Sequence, residues 1–329
     1  MGSRLAIGGV DETRPRLAAV DLARGVAIVA MVVYHGAFDL SAARLIAVDV
    51  PTDLAWKVLA RLTAGSFLLL VGVSLVLATQ RGLDRNAFLR RLLFIAGAAA
   101  LVSLSTWWFN PRTFVFFGIL HAIALASVFA LPFLRLPSVV VAAAATFFLA
   151  LPWFFAAPVF AAWPLLWVGL APEPPVSVDY VPVFPWFGVV LAGIVVGRLL
   201  LQYGGALWHW RPTSPPLTWL MIAGRWSLVI YLVHQPLLVG AVSLASMYLP
   251  ANEGVARANF IGACTPACGP GRDGTTCEAF CTCMFDGMWG KPIFDKQAFE
   301  EMTSEERVTF DALLAACDAA PALSPIPAD

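Results

Sequence analysis

Seven stretches of about 20 mostly apolar residues occupy the first 250 positions, at 19–38, 58–79, 88–108, 113–132, 139–160, 183–201 and 226–249. A bilayer core takes about 20 apolar residues per helix. In lipid only a helix or a closed barrel satisfies every backbone polar group. The expected fold is therefore all-α, a polytopic membrane protein with about seven transmembrane helices. Composition agrees, since 60% of residues are apolar and 13% charged, against about 25% charged in soluble domains. An ordinary soluble globule is excluded, and no basic tract or aromatic-interleaved basic stripe points to nucleic acid.

The zero net charge hides a division at Pro250: 16 basic and 9 acidic residues precede it, 5 and 12 follow, and all six cysteines follow. Residues 1–250 read as the membrane domain and 251–329 as a cysteine-rich tail. The first twenty residues carry Arg4, Arg14 and Arg16 with no apolar run, so the first span is not a signal peptide. With the N-terminus cytoplasmic, twelve Lys and Arg fall in inner loops and four (Arg44, Lys57, Arg61, Arg112) in outer ones, which is the bias expected of inner loops. An odd number of spans then puts the tail on the periplasmic or extracellular side, where disulfides persist. Two full spans in the proline-interrupted stretch 138–170 would reverse that. Eighteen Arg against three Lys points to a high-GC bacterial genome and so to an inner (plasma) membrane.

Ionisable groups inside a span are costly and mark function more often than elsewhere. Three of the four histidines, His35, His121 and His234, lie inside predicted spans. Each could be a histidine bonded to a neighbouring backbone or hydroxyl group, or a proton-transfer group. The first span says most. Arg24 and His35 are eleven residues apart, three helical turns plus roughly 20°, so they share a face with roughly 16 Å between them. Asp39 follows His35 at i+4, where it can orient the ring or hold its proton. Such a helix could bind an anionic donor at its inner end and activate an acceptor farther out. Taken singly, Arg24 also reads as a positive-inside anchor and Asp39 as an outer cap.

Four motifs follow one another along the chain: Arg14-x-Arg16-x4-Asp21-x2-Arg24-Gly25-x9-His35-x3-Asp39; Phe117-Gly118-Ile119-Leu120-His121; Pro185-Trp186-Phe187-Gly188; and Gly224-x2-Ser227-Leu228-x2-Tyr231-Leu232-x-His234-Gln235-Pro236. Together they resemble the heparan-alpha-glucosaminide N-acetyltransferase catalytic-domain family, in particular its short bacterial members, over about residues 14–249. The Arg-x10-His spacing also resembles the wider group of transmembrane acyltransferases. The resemblance implies transfer of an acyl group, usually acetyl, from cytosolic acyl-CoA to a sugar or glycan acceptor at the far membrane face. It points to His35 as the histidine at the reaction centre and to Arg24 as a donor-side residue, and places His121 and His234 in family motifs without fixing their roles. The residue reading adds Asp39 and His121 as catalytic candidates beside His35, and Arg198 and His234 as cofactor-binding candidates beside Arg24. Acetyl-CoA or another acyl-CoA is the implied donor substrate, without a metal. The lysosomal branch of the family carries Asn where this chain has His35 and places its reactive histidine in the following luminal loop. Loop 40–57 here contains no histidine, so acceptor and mechanism do not carry over from that branch.

A thioester already has a reasonable leaving group, so the site chiefly needs a base for the acceptor hydroxyl or amine, and neutral histidine suits that near pH 7. His35 could instead be acylated itself as a relay; both routes stand. Arginines near the inner surface suit CoA phosphates, although orientation alone also calls for them. Two other readings compete. A haem-binding electron-transfer protein would use two span histidines as axial ligands, and a transporter would use the intramembrane polar groups as a path. The partners expected are the lipid bilayer and the sugar or glycan acceptor, with a homodimer left open.

Gly65, Gly72, Gly188, Gly193 and Gly197 suit close helix packing. In the tail, Cys264, Cys268, Cys277, Cys281, Cys283 and Cys317 allow fifteen pairings. The spacing Cys-x3-Cys-x8-Cys-x3-Cys is expected to place pairs between two helical stretches. It is not a usual zinc pattern. Thr303-x2-Glu306 reads as a capping box opening a helix over 303–317.

Overall fold

A computed structural model describes residues 17–249, 252–268, 274–295 and 302–319. Arg4, Arg14, Arg16 and the division at Pro250 lie outside the described residues. The described residues are all-α, without a strand; one isolated bridge pairs Phe117 with Tyr180. The helices are α1 (Ala18–Ala42), α2 (Leu54–Thr79), α3 (Arg85–Phe109), α4 (Ile119–Phe129), α5 (Ser138–Ala150), α6 (Val183–Tyr203), α7 (Gly205–His209), α8 (Pro215–Arg225), α9 (Ser227–Tyr248), α10 (Glu253–Ala267), α11 (Gly274–Met288) and α12 (Ser304–Ala319). Five of these, α1, α2, α3, α6 and α9, are long and apolar enough to cross a membrane.

The other two predicted stretches form shorter apolar helices. α4 begins only after Gly118, because the chain before it is extended and pairs with the loop 177–181 through Val181 N–H to Phe117 O (3.0 Å) and Val178 N–H to Thr113 O (2.9 Å). Beyond α5, prolines 152, 158 and 164 each fall at the first or second position of a 3₁₀ turn (Leu151–Trp153, Pro158–Ala161, Trp163–Val168). Proline lacks the N–H that a continuing α-helix requires, so 151–168 is a chain of short turns.

The described chain falls into two compact units. One comprises residues through Tyr34 with Lys57–Leu237, and the other His35–Trp56 with the chain from Leu238 onward. In the first, Leu68, Val71, Val141, Val190, Leu191 and Ile194 anchor a buried core drawn from α2, α4, α5 and α6. Close approach here depends on glycine. A Cβ at Gly72 would strike Val190 O, one at Gly193 would strike Leu69 O, and one at Gly188 would lie 2.8 Å from Ala145 O. α1 and α8 meet in the same way, with Gly25 against Leu220 O and Gly224 against Asp21 O. Small residues let helix backbones touch where hydrophobic burial alone drives little association in lipid.

In the second unit α1 ends in a Schellman motif. Leu45 N–H donates to Leu40 O and Arg44 N–H to Ser41 O, both at 2.9 Å, with Arg44 in the left-handed region at φ 58°. Glycine is the usual residue at that position, and an L side chain there costs roughly 1–2 kcal/mol. The chain beyond α9 folds around disulfides. Cys264 on α10 and Cys268, the residue that caps its end, pair with Cys281 and Cys277 on α11, and Cys283 on α11 pairs with Cys317 on α12. The i,i+4 spacing on both α10 and α11 lets one face of each supply two partners. α12 opens with the expected box: Thr303 N–H donates to Glu306 Oε2 (2.7 Å) and Glu306 N–H to Thr303 Oγ1 (3.3 Å).

Candidate functional site

α1 runs unbroken through Arg24, His35 and Asp39, so the predicted one-turn step from His35 to Asp39 and the three-turn step back to Arg24 are helical ones. At its N-terminal end lies a charge cluster. Arg24 Nη1 donates to Asp21 Oδ1 (3.3 Å), and Arg225 Nε from the end of α8 donates to Asp21 Oδ2 (3.2 Å). Arg24 Nη2 also donates to Ser74 Oγ (2.5 Å) on α2, and Ser74 in turn donates to Leu70 O. Asp21 is buried and bridges both cations. A buried carboxylate shared by two guanidiniums leaves the cluster with net positive charge, which favours an anionic ligand. Asp21 belongs to the first motif, whereas Arg225 and Ser74 escape sequence reasoning. Arg225 is legible only as a neighbour of the motif's Gly224, and Ser74 carries no signal.

His121 is the third residue of α4 and closes its own helix start. Gly118 N–H donates to His121 Nδ1 (3.3 Å), so that nitrogen carries no proton. His121 Nε2 lies 3.2 Å from Ser103 Oγ, whose hydroxyl donates to Val115 O (2.5 Å). Nε2–H is therefore the donor, and both ring nitrogens are engaged within the protein. No lone pair is left on this ring for an axial haem bond.

Next to it, Asp179 Oδ2 accepts the N–H of Ile119 (2.9 Å) and lies 3.5 Å from the hydroxyl of Tyr231 on α9. Asp179 thus caps α4 from a loop sixty residues later, at the helix end that favours negative charge. A Cβ at Gly118 would strike Asp179 Oδ2 and Val115 Cγ1, so a larger residue there would displace the capping side chain. Burial of the carboxyl pushes Asp179 above the usual aspartate range, against the opposing pull of the Ile119 and Tyr231 hydrogen bonds. Beside it the Tyr180 phenol donates to Leu166 O (2.6 Å), and burial pushes it up to about 12. Asp179 lies between the predicted stretches 139–160 and 183–201 and in none of the four motifs, so nothing along the chain singles it out.

The raised Asp179 value fixes the sign of a pH effect. The folded chain holds this proton more tightly than the unfolded one, so the contribution to stability is full below the unfolded value and is lost as pH rises through the folded one. Asp179→Asn keeps an oxygen acceptor for Ile119 N–H but has no proton to lose. Its melting temperature relative to wild type is expected to improve as pH rises above the ordinary aspartate range, whereas Asp179→Ala loses the cap, about 1 kcal/mol. Parallel wild-type and Asn curves above that range would refute this.

His234 is buried on α9, and its Nδ1–H donates to Tyr231 O (2.6 Å). Arg198 holds the connection between α4 and α5. Its Nη1 donates to Leu136 O (2.8 Å) and Ser138 Oγ (3.1 Å), and its Nη2 to Phe133 O (3.1 Å) and Leu134 O (3.0 Å). The structure thus joins Arg24 to Asp21 and Arg225, His121 to Ser103, and Asp179 to Tyr231, while Arg198 sits apart among backbone carbonyls. His35 and Asp39 belong to the other compact unit, and Asp39 is buried. Among the described residues no group of three His, Cys, Asp or Glu side chains could hold a metal ion.

An open groove of about 420 Å³ is lined by Phe116, Phe117, Leu125, Trp163, Pro164 and Trp167. Phe117 packs on both the His121 ring (5.8 Å between centroids) and Trp167 (6.2 Å). Trp163 and Trp167 form one wall of it.

Compared with known proteins, residues 16–236 match the family described as "Heparan-alpha-glucosaminide N-acetyltransferase, catalytic". No curated protein and no solved structure matches the chain.

Proposed function

The chain belongs to the heparan-alpha-glucosaminide N-acetyltransferase catalytic family, matched over more than half its length, and from that premise we propose an acetyl transfer from acetyl-CoA to a sugar or glycan acceptor across the membrane. The observation that carries the reading is the cluster that Arg225 of α8 makes with Asp21 and Arg24 at the start of α1, the helix that carries His35 eleven residues after Arg24. That cluster takes the phosphates of the donor at the cytosolic side. By helical rise His35 is then roughly 16 Å away, a distance for the donor's pantetheine arm to span.

At the thioester, His35 takes the proton of the acceptor hydroxyl or amine as that oxygen or nitrogen bonds to the acetyl carbonyl carbon. Collapse breaks the C–S bond, and the proton leaves with the CoA sulfur. In the relay form, an imidazole nitrogen accepts the acetyl group first and passes it on. Asp39, at i+4, orients the ring or steadies its protonated form. His121, bonded at both nitrogens, holds the start of α4 in place. Arg198, clamped on the α4–α5 connection, and His234, anchored to Tyr231, complete the donor side as positioning residues. Seven spans, a cytoplasmic N-terminus, the inner membrane of a bacterium and a periplasmic tail after residue 250 complete the proposal.

Calorimetry with detergent-purified protein tests it. Wild type is expected to bind acetyl-CoA saturably, and Arg24→Ala to weaken binding about tenfold, as loss of a charge-assisted phosphate contact does. A folded wild type that shows no binding at millimolar acetyl-CoA would overturn the donor assignment. Trapping radiolabelled acetyl on His35 separates relay from base.

A further inference from the structure

The disulfide-stapled module beyond α9 has no part in the family match, which ends at residue 236, yet it shares a compact unit with His35–Trp56. Its centre is aromatic: Phe294 packs against Phe285 (5.3 Å between centroids), Trp289 (5.1 Å) and Phe260 (5.9 Å). The Arg44 guanidinium caps this hub, 4.4 Å above the Phe294 ring, well within cation–π range.

Arg44 is also the left-handed residue that ends α1. Glycine would serve the backbone better there, so what arginine adds at this position is its side chain. The loop after it is rigid, because Ser41 Oγ donates to Val48 O (2.7 Å) and accepts from Val50 N–H (3.4 Å). From His35 to Ala42, the last helical residue of α1, is seven residues, roughly 10 Å at helical rise, and Arg44 follows two residues later. One strained residue therefore ties the stapled module to the end of the helix that carries the proposed reaction centre.

We infer that Arg44 and the module it clamps form an acceptor-side specificity element of the reaction centre at His35. The inference rests on the acetyl-transfer reading for its catalytic meaning. The module limits approach to His35 from the end of α1 and helps seat the acceptor there, and the donor side is untouched.

The test uses the full chain with Arg44→Gly, which relieves the left-handed strain while removing the guanidinium, and Arg44→Lys, which keeps a cation for Phe294. With glucosamine as acceptor, Arg44→Gly is expected to raise the acceptor KM about tenfold and leave the acetyl-CoA KM within twofold, with Arg44→Lys between it and wild type. Diethyl pyrocarbonate labelling, read by mass spectrometry, gives a measure that needs no turnover. His35 in Arg44→Gly should be modified at least three times faster than in wild type, while His209 is unchanged. Equal His35 labelling in the two proteins overturns the inference whatever the kinetics. A wild type that labels as expected but transfers no acetyl group refutes the acetyl-transfer reading and leaves the placement of the module standing.

Discussion

His35→Ala is expected to lower acetyl transfer by at least a hundredfold while acetyl-CoA binding stays within about threefold of wild type. A positioned base contributes about 10² to 10⁴ in rate, and the same residue acting as a covalent relay would make the loss complete. Binding survives because the donor's phosphates are assigned to the Arg24, Asp21 and Arg225 cluster, joined by bonds of 3.2–3.3 Å that do not involve His35. The pair of measurements is turnover and calorimetry on the same preparation. Near-normal turnover in a folded His35→Ala protein would remove His35 from the reaction centre.

The second large effect is structural. Gly72→Val is expected to destabilise the membrane domain by about 3 kcal/mol or more, and to lower its melting temperature by about 10 °C in detergent. Even the first carbon of a side chain at Gly72 would strike Val190 O and come within 2.8 Å of Ile194 N and 2.9 Å of Gly193 C. Backbone cannot swing aside as a side-chain tip can, so α2 and α6 have to separate. Gly65, two turns earlier on α2, is the internal control. A methyl group added there would meet only Trp186 Cζ3, at 3.9 Å, an ordinary contact, so Gly65→Ala is expected to melt within about 2 °C of wild type. If the two substitutions melt alike, close contact of α2 and α6 is not what Gly72 provides.

Those two glycines show how far the chain is legible. Both stand in apolar stretches as small residues suited to helix packing, and no local feature ranks one above the other. Their difference arises from where α6 crosses α2, a contact between residues more than a hundred positions apart. The charged and polar groups divide in the same way. Arg24 and Asp21 are three residues apart, so their pairing on α1 follows from helical geometry. Arg225, the second partner of Asp21, is 204 residues away, and no spacing rule reaches it. Arg198 reads as a phosphate-seeking cation along the chain, yet in the fold its donors face the carbonyls of Phe133, Leu134 and Leu136. Asp179 reads as a loop acid and becomes the cap of a distant helix.

Periodicity and length hold up where each residue contributes on its own account. Apolar stretches of about 20 residues identify spanning helices because transfer into lipid is close to additive along a segment, and five such helices are present among the described residues. The two shorter helices, α4 and α5, depart from the expected length for reasons that are partly local. Prolines break the chain after α5, and they are visible in the sequence. The late start of α4 is not, because it depends on pairing with residues 177–181.

From its own order of residues the chain settles that it is helical, that it is a membrane protein, that it carries the four motifs of its family in sequence, and that six cysteines must be shared among fifteen pairings. These follow from hydropathy, helical spacing and counting, all of which act along the backbone. Tertiary structure alone decides which of the fifteen pairings forms, which motif glycines are close helix contacts, which histidine has both nitrogens engaged, and that a left-handed arginine meets an aromatic hub from the far end of the chain. The reason is physical. Each of these depends on the distance and direction between groups that only packing brings together, and interior packing distinguishes positions that hydropathy treats as equal.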